Sequence, residues 1–166
     1  MAVVNAYVNQ DIVAGTIAVG AAQRGQRTII MRETFEKAAA DSSTSVYRVF
    51  KGVNAFLIPV RIEIENDAIT GATAYSCGLY QTNLGAVISK NVFATALDFS
   101  SARATGSPIS GMSAQDQANA EKALYELAGD DVGAIKNGGY DLCLTADTAG
   151  TGAGTITVTA AFIEKF

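Results

Sequence analysis

Ser76-Cys77-Gly78 is where this chain comes closest to a nucleophile, a thiol between two small residues. A thiol attacks as its thiolate, which needs a base or a positive charge beside it. The chain contains no histidine, the commonest general base near neutral pH. Ser-His-Asp and Cys-His catalysis are therefore excluded, and most zinc sites with them. Cys77 also shares strand parity with Tyr75 and Leu79, which assigns it to a core face.

Other constellations meet similar objections. Gly150-Thr151-Gly152-Ala153-Gly154 has the glycine density of a phosphate loop. Such a loop needs a strand before it, a helix after it and a Lys-Ser or Lys-Thr step at its end. Here a β-type run follows and the step is missing, so the segment reads as a hairpin turn. Asp130, Asp131, Asp141 and Asp147 could offer oxygen ligands to calcium, but their spacing matches no EF-hand loop and they read as solvated loop acids. Glu63 and Glu65 form a carboxylate pair of the kind used in glycoside hydrolysis. They alternate with isoleucines, which places them on the wetted face of a strand. No catalytic, cofactor-binding or metal-ligating residue is assigned, and no enzymatic activity is expected.

Composition points the same way. The 166 residues suit one domain, and 49% are hydrophobic against 17% charged. The charged share lies below the usual ~25%, a lean toward a protein that hides surface in an assembly. The net charge is −4, and the densest basic group is only Arg24, Arg27 and Arg32, which disfavours nucleic acid as a partner. Tyrosines and phenylalanines fall at alternating strand positions without interleaved basic residues, so they read as core rather than base-stacking platforms. Cys77 and Cys143 read as reduced core thiols, and a bridge between them stays open. The first basic residue is Arg24, so no secretory leader is visible. The uncharged stretch Ile12 to Gln23 is too short to span a bilayer, and residence in the cytoplasm of the producing cell is expected.

The elements that must position these residues are mostly strands. Ile29, Met31 and Phe35 share one parity between Thr28 and Lys37, with Glu33 as the exception. Val46 to Lys51 forms a short strand broken by Gly52-Val53-Asn54. Ile58, Val60, Ile62 and Ile64 alternate with Pro59, Arg61, Glu63 and Glu65, a period of two that buries one face. Pro59 marks an edge or a strand start. Ala74 to Thr82 and Ala86 to Ala94 form a hairpin around Asn83-Leu84-Gly85, Ala96 to Ser100 adds a short strand, and Arg103 to Gly111 is a loop. Tyr140, Leu142 and Leu144 alternate in one further strand. Ile156, Val158, Ala160 and Phe162 do so in the last. A single helix is expected over about 114–128, capped by Ser113 with Asp116 as partner and ended by Gly129. Its stripe is Gln117, Ala120, Leu124, Leu127 and Ala128. The architecture is all-β: an antiparallel β-sandwich or jelly-roll-like barrel with one α-helix. Residues 1–27 form an apolar N-terminal segment or arm, equally readable as a first hairpin, and 28–166 a single sandwich domain.

From Tyr75 onward the chain resembles small virion proteins of tailed bacteriophages. The resemblance runs through Tyr75-Ser-Cys-Gly-Leu-Tyr-Gln-Thr-Asn-Leu-Gly-Ala-Val-Ile88, Asn91-Val-Phe-Ala-Thr95, Leu97-Asp-Phe-Ser-Ser-Ala102, Lys122-Ala-Leu-Tyr-Glu-Leu-Ala-Gly129, Tyr140-Asp-Leu-Cys-Leu-Thr145 and Thr155-Ile-Thr-Val-Thr159. It implies a head decoration or cement protein on the capsid exterior, assembled in the host cytoplasm, bridging subunits of the major capsid protein as a dimer or trimer. It implies no cofactor, no direct nucleic-acid contact and no membrane. Other virion parts, a tail-tube or head–tail joining protein, are the alternative, followed by a carbohydrate- or receptor-binding sandwich, which the absence of tryptophan disfavours.

Overall fold

Wherever apolar and polar residues alternate, the backbone is extended. The computed structural model describes residues 27–82, 85–104, 107–131 and 139–164, so readings that concern the N-terminal segment lie outside the described residues. Eight strands follow in order: β1 (Thr28–Lys37), β2 (Val46–Asn54), β3 (Leu57–Asn66), β4 (Ala74–Gln81), β5 (Val87–Leu97), β6 (Ile109–Ser110), β7 (Gly139–Thr148) and β8 (Gly154–Glu164). They form two antiparallel sheets, ordered β1-β8-β3-β6 and β2-β7-β4-β5. The chain changes sheet at every connection except β4–β5. This interleaving of two Greek keys is the eight-stranded jelly roll. The core lies between the sheets, with Ile62, Ile64, Val158 and Phe162 on one side facing Tyr75, Leu79, Leu142 and Leu144 on the other.

Two strands depart from the expected alternation. In β3 the pairing with β8 slips between Pro59 and Arg61, a bulge that inserts one residue. Ile62 and Ile64 are buried as expected, whereas before the bulge Leu57 and Pro59 are the buried residues and Val60 is 55% exposed. Pro59 has no hydrogen to donate, and β6 pairs only with Glu63 and Ile64, so no ladder bond is lost at the proline. β2 does not stop at Gly52. It continues to Asn54 through two register shifts, with Gly52 at φ 61° and Val53 buried.

The long helix is not formed. Gln117–Asn119 makes a 3₁₀ turn capped by Asp116, whose side chain accepts from the Asn119 N–H. The α-helix proper, α1, spans only Leu124–Ala128. Its N-cap N–H is served by Glu126, whose carboxylate accepts from the Ala123 N–H at 2.8 Å. Gly129 takes the left-handed conformation at its end, φ 77°, as the sequence indicates. Extended backbone at Ala123 separates the two turns. Depth of packing rather than helical propensity decides the arrangement: Leu124 is fully buried while Leu127 is only partly so.

The two ends of the sandwich are closed differently. Near the β2–β3 turn, Leu124 fills the core and the Tyr125 N–H donates to the Ala55 carbonyl at 3.1 Å. At the other end the β3–β4 and β7–β8 loops lie back to back. Gly71 and Gly150 both have positive φ, and a Cβ on Gly150 would stand 2.3 Å from the Thr70 carbonyl oxygen. Lys37, fully buried at the end of β1, donates from Nζ to the carbonyls of Ala38 (2.8 Å), Gly150 (3.4 Å) and Gly152 (2.8 Å). Asn66 Nδ2 likewise reaches the carbonyls of Asp67, Phe99 and Ser101.

Candidate functional site

The residues singled out for chemistry are held apart, each in a structural contact. Asp130 accepts from the Tyr140 hydroxyl at 2.7 Å, and Asp131 is exposed. Asp141 is not a solvated loop acid. It lies buried in β7, 2.5 Å from Arg48 Nη2 and accepting from the Gly52 N–H at 2.8 Å. Asp147 also belongs to β7, where Ser76 and Lys90 donate to its two oxygens at 2.5 and 2.6 Å. Burial pushes the Asp147 carboxyl up, but these two donors outweigh it and hold the group below its ordinary value. Glu63 and Glu65 stand on the outer face of the first sheet, beside Arg61 (3.5 Å) and Arg32 (3.0 Å) respectively. Among the described residues no three of Cys, Asp and Glu converge as metal ligands.

The cysteines occupy opposite faces of the second sheet. Cys77 pairs in register with Leu144, and Cys143 with Gly78. Both thiols are free and buried. Burial raises the Cys77 thiol strongly and pushes that of Cys143 up to about 12, with the Asp141 charge adding to the latter. Neither is a nucleophile at neutral pH. Gly78 has a steric purpose instead. A Cβ there would lie 2.1 Å from the Ser89 carbonyl oxygen, because β5 bulges across this point.

The glycine run 150–154 is the β7–β8 connection, and its carbonyls receive the Lys37 ammonium. Sequence reasoning missed Lys37, since lysine ordinarily stays in water. The only trace of its role is its position, four β1 residues after the exceptional Glu33 and on the inward parity.

The surface of the described residues carries two further features. The outer face of the first sheet divides in two. Toward the glycine-loop end it is a polar ladder: Arg32–Glu65, Thr34–Thr157 at 2.9 Å and Glu36–Thr155 at 2.6 Å. Toward the opposite end it is mostly apolar, with Arg61 as its one exposed charge among the described residues. Register aligns Thr28, Ile163 and Ile58 in one row and Ile30, Ala161 and Arg61 in the next, with Val60 in the bulge just before Arg61. Ile30 is 66% exposed and Val60 55%, and exposed apolar side chains grouped this way mark contact sites. The strip could be found in the sequence only by knowing the bulge, because unbroken alternation places Val60 in the core.

A second feature lies at the side. β1 and β2 are the outermost strands of their sheets on the same flank, where the Phe35 and Tyr47 rings stack with centroids 5.1 Å apart. A groove of about 380 Å³ between them is lined by Met31, Glu33, Phe35, Arg48, Phe50 and Lys51. Strand edges left unpaired among the described residues accept further backbone. No helix among the described residues is long and apolar enough to cross a membrane.

No protein-family model matches the chain, and no curated protein does so. Among solved structures it is similar to a chain of the cyanophage Pam1 capsid asymmetric unit, with a TM-score of 0.56 at 11% identity. The match covers 90% of this chain and 93% of that one, so the two are of nearly equal length. At this identity the shared property is the fold alone.

Proposed function

We propose that this protein is a non-enzymatic part of a bacteriophage virion, a head decoration or cement protein that binds the capsid exterior and bridges neighbouring subunits of the major capsid protein. The observation that carries this reading is the end-to-end likeness to a chain of similar size from a phage capsid asymmetric unit. The physics of the surface supports it. The exposed Ile30 and Val60 and the two strand edges left unpaired among the described residues suit contact with other proteins. Many copies of a rigid β-domain, each binding the assembled shell and not its separate parts, stabilise that shell by mass action. The composition offers contact and shape in place of reaction chemistry, since no histidine is present.

The test is binding to heads. Purified protein is mixed with expanded phage heads that lack it, and sedimentation separates bound from free. Saturable binding, with heads then surviving heating or chelation that bursts the bare shell, is the expected result. Light scattering should give a monomer, dimer or trimer that stays small as concentration rises. Hexameric rings or growing tubes, without binding to heads, would overturn the reading in favour of a tail component.

A further inference from the structure

We propose that β1 is a self-pairing edge: two copies of this chain join their sheets through antiparallel β1 strands, with Ile30 on the two-fold axis. The inference concerns the isolated chain and does not rest on the virion reading. A free sheet edge is a template for another strand, and folded proteins guard it with bulges, prolines, lysines or brevity. Among the described residues the other edges are guarded. β2 shifts register twice and exposes Lys51, and β5 shifts three times against β4. β6 is two residues long, and the stretch of β3 it leaves open holds Pro59 and the bulge. β1 instead pairs with β8 through all ten residues without a shift, has no proline and buries its one lysine.

The register follows from the side chains. A two-fold contact uses the same patch on both copies, and a continuous sheet keeps each face on its own side. One residue of β1 must therefore lie on the axis. Arg32 or Glu33 there would set like charges opposite each other. Met31 there would set Arg32 against the partner's Ile30. An axis at Thr34 or beyond leaves Ile30 bare, and one before Ile30 pairs at most three residues of β1. Ile30 on the axis fits throughout. It is the most exposed large apolar side chain among the described residues, at 66%, and it meets its own counterpart. Arg61, at the end of the same row, lies two strands away from the contact. On the inward side Met31 faces the partner's Ile29, and Glu33 faces the partner's Arg27. Glu33 and Arg27 are exposed and form no ion pair among the described residues. Met31 and Glu33 also line the groove between β1 and β2, so the start of the partner's β1 comes over it.

The test is disulfide trapping of the full-length chain in the absence of heads. The contact is smaller than a standard interface of about 800 Å² per partner, so it is short-lived and trapping reads it where mass does not. Ile30→Cys places two thiols on the axis with Cβ atoms about 5 Å apart, within reach of a disulfide. Thr34→Cys places them eight residue rises apart, roughly 27 Å. Both positions are exposed, so the fold survives, and the native thiols are buried and slow to exchange. On mild oxidation Ile30→Cys should give a covalent dimer and Thr34→Cys none. In the Ile30→Cys chain, Arg27→Glu should slow trapping roughly tenfold by facing Glu33 with a like charge. Adding Glu33→Arg should restore it. Each rate is divided by that of a small disulfide reagent with the same thiol. No dimer from position 30, equal dimers from both positions, a dimer from position 34 alone, or a rate indifferent to Arg27→Glu would overturn the proposal.

Discussion

At the α1 end of the jelly roll the closure is apolar. Leu124 drops into the core and the Tyr125 ring packs against Phe56, centroids 5.6 Å apart. At the glycine-loop end the closure is made of main chain, with Gly71 against Gly150 and one buried ammonium gathering carbonyls from two elements. The first kind of closure depends on volume and hydrophobicity, which several residues can supply. The second depends on the absence of a side chain at one position and on a particular donor at another. One end should therefore tolerate like-for-like exchange, and the other should reject even a methyl group.

The sharpest way to break that contrast is a charge under the helix. Leu124→Asp should lose about 4 kcal/mol or more in urea denaturation, since it buries an unpaired carboxylate and removes a core side chain. Leu124→Met should lose less than about 1.5 kcal/mol. If the two variants melt together, the α1 end is not a packed closure. Next in size is Gly150→Ala, expected to lose about 3 kcal/mol, because its Cβ meets fixed backbone at 2.3 Å and φ is 70°. A stability equal to that of the parent would mean the loops separate without penalty. The smallest effect is expected from Lys37→Met, about 2 kcal/mol, from carbonyls left without their charged donor. Here the sign is itself informative. A neutral or stabilising outcome would show that dehydrating the ammonium outweighs its hydrogen bonds, leaving the glycine contact alone to hold that end.

This division also explains what could be read from the residues. Strand parity is local, so Ile29, Met31 and Phe35 in β1, and Ile156 to Phe162 in β8, were assignable from alternation and point inward as expected. The Gly129 stop was legible for the same reason. The helix length was not, because Ala114 to Ala123 carries a helical stripe but lies at the surface until Ala123, where tertiary contacts set the backbone. The β3 bulge was hidden because Ile58 and Val60 keep the period of Ile62 and Ile64 while facing the other way. Nothing near Lys37 announces that loops over a hundred residues later will surround it. Strand order has no local signature at all, and the apolar strip follows from strand order and bulge together.

Thr28 pairs with Ile163 on the adjacent strand, so Arg27 and Glu164, the outermost described residues, emerge side by side. The connections after β1, β3, β5 and β7 all gather at the far end. The molecule thus has two addresses along its long axis. Whatever is grafted before Arg27 or after Glu164 starts from one address, and whatever is inserted at the exposed turn residues Ala39 or Ala40 is delivered to the other. A bifunctional fusion could therefore carry two different cargoes on one copy of this chain and keep them a full strand length apart.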